Sequence, residues 1–348
     1  MSPWLSLSCF SRVNPLYISA DFCMVFTLKI VVTDPIFLPS QYQKRLEKLG
    51  DLKVYDTEPS SADELISRLD GAEVAIVSRC PLPREVFERA DNLKFVTLWR
   101  TGYDDVDADA ARENDILIAN APGYSNEAVA EHVFALLLSF LRRVPAADRG
   151  MREGKFECSA LRGRELKGKT IGVMGTGRIG ARVIEICKCF GMDVIAYDTR
   201  PSSVLAKKFG FSYVSADELY RESDIITLHV ALTPESEGMI GMNAFKRMKR
   251  TAVLVNTARG GLVDERALVT ALKEHIIAGA CLDVFTHEPL PKKSPLLRLD
   301  NVVLTPHTAF NTQEAVENCT RITVDNVENF ARGRPSNVIN TGASEIKR

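Results

Sequence analysis

The feature that most restricts this chain is a glycine pattern, Gly175-Thr176-Gly177-Arg178-Ile179-Gly180, set between an apolar run (170–174, TIGVM) and a helical stretch that opens at Arg178. Alone, G-x-G-x-x-G is a weak signal. Between a strand and a helix it is the turn that brings a helix N-terminus up to a pyrophosphate. Gly175 permits the tight turn, Gly177 lets the backbone approach the phosphates, and Gly180 lets helix and strand pack closely. The free N–H groups of the first turn, around Arg178 and Ile179, carry the partial positive charge that favours an anion. The competing reading, a glycine turn with no ligand, is disfavoured by the strand–turn–helix setting.

Asp198 ends the next apolar run, eighteen positions after Gly180. A carboxylate there accepts hydrogen bonds from the adenosine ribose hydroxyls and repels a 2′-phosphate. Like charges about 4 Å apart cost roughly 4 kcal/mol at an effective dielectric near 20, so NAD is the expected cofactor rather than NADP. Arg200, two residues on, either softens that preference or is a solvated surface arginine.

Around this motif the chain alternates short apolar runs with helical stretches. Strands are expected at 28–32, 53–55, 74–77, 95–98 and 116–118, with helices at 41–49, 62–69 and 84–90 among them. A second series has strands at 170–174, 194–197, 225–228, 252–255, 280–282 and 302–304. Short strands without alternation, separated by helices, imply parallel sheets covered on both faces, and six strands in the second rhythm match a doubly wound nucleotide fold. Between the series runs a helix at 126–143, apolar almost all round, with Ser125 or Asn126 to cap it and Pro145 at its end. A last helix at 312–330 returns the chain to the first domain. The expected architecture is therefore α/β: a doubly wound NAD-binding domain (125–307) inserted in a second α/β domain that is discontinuous in sequence (24–124 and 308–348).

At 348 residues the chain is long enough for two such cores. Its formal charge of −1 supplies no field for nucleic acid or an acidic membrane, and no apolar run reaches the length of a spanning helix. The eight cysteines (9, 23, 80, 158, 187, 189, 281, 319) form no CxxC pair and no zinc spacing with histidine, so they read as reduced thiols of a cytoplasmic protein, with no metal. Cys187 and Cys189 should point to different faces of one helix. Residues 1–23 lack a basic start followed by an apolar stretch and read as a loose extension before Met24, with a weak transit peptide as the alternative.

Three polar residues follow successive strands of the second series: Arg259, Glu288 and His307. The ends of parallel strands are where open α/β sheets bind ligands. An arginine fork grips a carboxylate bidentately, and a histidine exchanges a proton near neutral pH, oriented by a neighbouring carboxylate. Each residue alone is more often a surface or capping group; their successive positions lift the set.

With these residues in view the chain resembles the D-isomer-specific 2-hydroxyacid dehydrogenase family. The likeness runs from about residue 29 to 340, through TGYDDVD (101–107), NEAVAEHVFALLL (126–138), the glycine loop, LVNTARGGLVDE (254–265), DVFTHEP (283–289) and TPHTAF (305–310). It implies that Arg259 binds the substrate carboxylate with help from the backbone at Thr101 and Gly102, and that His307, paired with Glu288, is the acid/base. It further implies that Asp283 meets the nicotinamide carboxamide and that Thr257 and Ala258 line the cofactor. His229 falls on the cofactor-cleft segment and reads equally as a packed strand-end histidine. The resemblance implies a flavodoxin-like substrate domain interrupted by a Rossmann domain, with the site in the cleft. It also implies a homodimer joined through the nucleotide domains, acting on a small keto or hydroxy acid, without the regulatory domain of long phosphoglycerate dehydrogenases. Within the family, Phe310-Asn311 is similar to D-lactate dehydrogenases and TGYDDVD to glycerate and hydroxypyruvate enzymes; Leu98-Trp99-Arg100 and Ala231 depart from the usual pattern. An NAD-sensing, corepressor-like scaffold on the same fold is the alternative. Glu288 and Thr101 argue against formate and phosphite as substrates.

Overall fold

A computed structural model describes residues 27–341, arranged around two parallel sheets; the expected N-terminal extension, 1–23, lies outside the described residues. The first sheet contains β1 (Leu28–Val32), β2 (Gly50–Val54), β3 (Val74–Val77), β4 (Phe95–Leu98) and β5 (Leu117–Ala119), in the order β2-β1-β3-β4-β5. That is the flavodoxin-like order, with its switch point between β1 and β3. The helices α1 (Ser40–Glu47), α2 (Ala62–Arg68), α3 (Arg84–Arg89) and α4 (Ala108–Glu113) connect the strands. Every residue of β3 and β4 is buried, which is why these strands read as unbroken apolar runs. The edge strand β2 is half exposed and begins three residues earlier than its apolar residues suggest. No apolar periodicity marks α4, whose start is set by Asp107 accepting from the Ala110 amide.

From β5 the chain crosses into α5 (Asn126–Leu141), which lies on the second sheet. Ser125 occupies the cap position of α5, although neither its side chain nor that of Asn126 makes the capping hydrogen bond. The helix stops at Leu141. Arg143 then takes a left-handed turn, and Pro145 sits in the first turn of a new helix, α6 (Val144–Arg152), which has no buried residue. Proline at a helix start loses no backbone bond, so the residue expected to end one helix begins another.

The second sheet is formed by β6 (Thr170–Met174), β7 (Asp193–Tyr197), β8 (Ser212–Tyr213), β9 (Ile225–Leu228), β10 (Val253–Asn256), β11 (Gly279–Leu282) and β12 (Val302–Leu304), in the order β12-β11-β10-β9-β6-β7-β8. Counted from β6, this is the doubly wound Rossmann order with one strand added at the far edge. The helices are α7 (Arg178–Cys189), α8 (Ser203–Phe209), α9 (Ala216–Glu222), α10 (Met242–Phe245) and α11 (Glu265–Lys273). The two-residue β8 is too short to leave a sequence signal, so seven strands stand where six were expected. On α7, Cys187 is buried and Cys189 exposed, as their spacing requires.

After β12, α12 (Gln313–Ala331) crosses back to the first sheet. Phe330 stacks on Phe95 with ring centroids 4.5 Å apart, and Val324 and Val327 enter the core beside β1 and β3. Asn326 bonds Thr97 and the Asn120 carbonyl at 3.1 and 2.9 Å, and Arg45 of α1 holds Asp325 and Glu328 of α12. Each sheet is thus covered on both faces, and the strand ends carrying Thr101 and Arg259 meet across the space between them.

Candidate active site

The glycine loop is shaped by close approach. Gly175 has φ +89°, and a Cβ there would stand 2.5 Å from the His229 carbonyl; a Cβ on Gly180 would stand 2.0 Å from the Gly175 carbonyl. A side chain at either position would drive strand and helix apart. Gly177 faces open space, caps α7 without a side-chain bond, and leaves the first-turn amides free, with no acidic residue in that turn. Arg178 runs across to the Gly123 turn, and Ile179 packs into the core under α7.

Asp198 lies at the rim of this loop. One carboxylate oxygen accepts from the Thr176 amide (2.6 Å) and hydroxyl (2.8 Å), the other from the Arg200 amide (2.8 Å). Burial alone would raise its pKa, but these bonds hold it below the usual carboxylate range. It is therefore charged at neutral pH. His229 lies on the opposite side of the loop, its ring nitrogen 2.9 Å from Thr227; burial pushes its pKa down to about 4, so it is neutral. Thr257, after β10, has a buried hydroxyl with no partner among the described residues. Free amides, a charged carboxylate at the rim and an unpartnered buried hydroxyl on the facing strand end together fit a dinucleotide.

The residues expected to do chemistry do come together in two groups. His307 Nδ1 is 2.6 Å from Glu288 Oε2, while Glu288 Oε1 accepts from the Phe285 amide at 2.9 Å. Burial pushes the Glu288 pKa up, but these two bonds outweigh it and keep the carboxyl ionised. An ionised carboxylate accepts only, so Nδ1 carries a hydrogen and Nε2 is the atom left free. The His307 ring stands edge-on to Phe310, which in turn meets the ring of Tyr124.

Arg259 reaches from the end of β10 to the loop after β4. Its Nε donates to Asp104 at 2.6 Å and its Nη1 to the Ala258 carbonyl at 2.8 Å. A Cβ on Gly102 would stand 1.8 Å from Nη2, so only glycine admits the guanidinium to that backbone. Thr101 turns its hydroxyl to the Ala121 carbonyl, 2.7 Å away, fixing the loop beneath. Asp104 escaped the sequence reading because it is one of a run of acidic residues with no periodicity to separate it. The unusual Trp99 and Arg100 point into the fold: Trp99 bonds Thr320 of α12 at 3.0 Å, and Arg100 pairs with Asp105 at 2.7 Å.

Asp283 is fully buried. Its carboxylate accepts from Thr305 (2.5 Å) and from the Thr308 and Ala309 amides (both 2.9 Å), which form the turn carrying His307. Among the described residues no His/Cys/Asp/Glu group could hold a metal ion, and no helix is long and apolar enough to cross a membrane.

A Rossmann sheet with a dinucleotide cradle, facing an arginine and a carboxylate-bound histidine, defines a nicotinamide-dependent oxidoreductase that acts on a carboxylate-bearing substrate. Residues 134–309 match the family described as D-isomer specific 2-hydroxyacid dehydrogenase, NAD binding domain. The chain is 40% identical over 318 residues to glyoxylate reductase of Korarchaeum cryptofilum, covering 89% of this chain and 96% of that one. It is also 40% identical to D-3-phosphoglycerate dehydrogenase of Archaeoglobus fulgidus, of which it spans 60%. Among solved structures it is similar to an acyclic imino acid reductase in complex with NADPH and D-Arg (TM-score 0.83, 37% identity, covering 90% of this chain and 100% of that one). It is likewise similar to D-lactate dehydrogenase from Aquifex aeolicus complexed with NAD and lactic acid (TM-score 0.81, 34% identity, covering 90% and 99%). The chain belongs to the D-isomer-specific 2-hydroxyacid dehydrogenase family and is an NAD-dependent oxidoreductase of 2-hydroxy acids.

Proposed function

We propose that this protein interconverts a 2-keto acid of the size of glyoxylate, hydroxypyruvate or pyruvate with the matching D-2-hydroxy acid. The observation that carries the proposal is the 2.6 Å contact between His307 Nδ1 and Glu288, which leaves Nε2 as the proton donor, with the Arg259 guanidinium seated on the Thr101-Gly102 loop. In this reading the outer nitrogens of Arg259 grip the substrate carboxylate, with the backbone at Thr101 and Gly102 on its other edge. His307 protonates the carbonyl oxygen during reduction, and Glu288 stabilises the charged imidazole that this requires. Bound NADH supplies the hydride. The amides around Gly175, Gly177, Arg178, Ile179 and Gly180 hold the phosphates, Asp198 the ribose, and His229, Thr257 and Ala258 line the cofactor cleft. The Asp283 carboxylate, expected at the nicotinamide carboxamide, is buried and taken up by the His307 turn.

The charge of Asp198 favours NADH over NADPH by repulsion of a 2′-phosphate. Initial rates with a panel of keto acids, each with NADH and with NADPH, test the proposal; protein that binds NADH and turns over none of the panel would end it.

The proposed division is a substrate unit of residues 24–124 and 308–348 around a nucleotide-binding unit of 125–307. We assign the protein to the cytoplasm as a homodimer. Support for the dimer comes from α6 and the segment after it, which bury nothing yet present Val144, Met151 and Phe156, the last 93% exposed. Light scattering on the purified chain, with Phe156→Asp beside it, distinguishes dimer from monomer.

A further inference from the structure

We propose that His132 and Thr305 are positioning residues for His307, acting through the carboxylate of Asp283. The inference rests on the proton-donor role proposed for His307. Asp283 has no exposure to solvent, and a charge so buried persists only when its lone pairs are met. They are met almost entirely by the His307 turn. The Thr308 amide and the Thr305 hydroxyl donate to Oδ1 and the Ala309 amide to Oδ2, while the His307 amide donates to the Asp283 carbonyl at 2.7 Å. His307 itself has φ +52°. A non-glycine residue keeps that region only when its surroundings dictate it.

Among the described residues, the side chain from outside the turn that joins this network is His132 on α5, with Nε2 at 3.0 Å from the Thr305 hydroxyl and 3.5 Å from Asp283 Oδ1. The direction of each bond follows from the number of hydrogens. An ionised carboxylate only accepts, so Thr305 spends its single hydrogen on Asp283 and offers a lone pair to His132. His132 Nε2 therefore carries a hydrogen. The chain of donors runs from α5 through Thr305 to Asp283, and Asp283 fixes the turn that aims His307 at Glu288.

The test uses the full-length enzyme, with NADH and whichever of glyoxylate, pyruvate or hydroxypyruvate turns over fastest. Thr305→Val keeps the shape and removes the hydroxyl; His132→Leu removes the donor at the far end. Each should lower kcat, Thr305→Val by up to about 100-fold as a misplaced catalytic group does, with KM and NADH affinity changed far less. Thr305→Ser and His132→Gln, which restore the hydroxyl and the donor, should recover most of the loss. Added to His307→Ala, Thr305→Val should cost almost nothing further, because a residue that acts through another has nothing left to position. The imidazole NMR signals of His307 should shift in Thr305→Val and return in Thr305→Ser, a readout independent of turnover. Wild-type kcat and unshifted signals in Thr305→Val, or losses that multiply with His307→Ala, would overturn the positioning role alone. Full turnover in His307→Ala would overturn the proton-donor role, and the inference with it.

Discussion

The two halves of the cleft are built in opposite ways. The cofactor side is local: Gly175, Gly177, Gly180 and the Asp198 carboxylate all lie within one βαβ unit, β6 to β7, and their geometry follows from backbone contacts. The substrate side is assembled from distance: Arg259 meets Asp104 across 155 positions, and the His307 turn is tied to α5 across 173. Local construction couples the cofactor side to folding, because strand and helix must touch there whether or not a ligand binds. The substrate side carries its key groups on partly exposed side chains, His307 at 42% and Arg259 at 34%. The fold does not depend on them, so they are free to serve chemistry.

The largest effect expected from this contrast lies at His307. His307→Ala should lower kcat by about 10²–10⁴-fold, the usual contribution of general acid–base catalysis, and leave the melting temperature nearly unchanged. Steady-state NADH oxidation and a thermal melt on the same preparation check both halves. A large fall in melting temperature would break the distinction. Arg259→Lys comes next. Lysine supplies one charged point and cannot hold Asp104 through one nitrogen while presenting a fork with two others. Loss of one charge-assisted bond, roughly 1.5–3 kcal/mol, corresponds to about 10–150-fold in kcat/KM, carried mainly by KM for the keto acid.

On the cofactor side the signature should reverse. Gly180→Ala places a methyl group 2.0 Å from the Gly175 carbonyl, which no rotation of a side chain can relieve. Overpacking of this kind costs about 1–3 kcal/mol of stability, and the same shift should weaken NADH binding. Urea unfolding and NADH fluorescence titration should therefore move together in this variant and separately in His307→Ala.

How much was legible in the sequence follows the same division. The glycine loop and Asp198 were readable because their spacing is fixed inside one unit, and the buried strands β3, β4 and β9 because burial on both faces leaves an unbroken apolar run. Arg259, Glu288 and His307 were readable as strand-end residues, since topology alone brings the ends of parallel strands to one side. What connects them was not. Asp104 looks like its acidic neighbours, and Thr305 and His132 look like a strand-end threonine and a polar break in an apolar helix. Their partners are set by packing between distant elements, which no periodicity encodes. The edge strands β2 and β8 and the exposed helix α6 were misplaced or missed for the related reason that exposed elements carry little apolar pattern.

His229 offers the smallest effect and the finest test, because it belongs to the cofactor side and titrates. Its folded pKa of about 4 lies below the ordinary value of 6.5, since burial disfavours the charged ring. As pH falls, the unfolded chain takes up the proton first, so the unfolded state binds more protons and stability drops. The contribution is fully present above 6.5 and is lost as pH falls through 6.5 toward about 4. Between pH 7 and 5.5 the linkage relation gives a loss of about 1 kcal/mol from this group. Urea unfolding at those two pH values should show His229→Gln losing about 1 kcal/mol less than the wild type. Equal losses in the two proteins would mean that the ring is hydrated in the folded state. The cofactor side would then be less tightly closed behind the glycine loop than its contacts indicate.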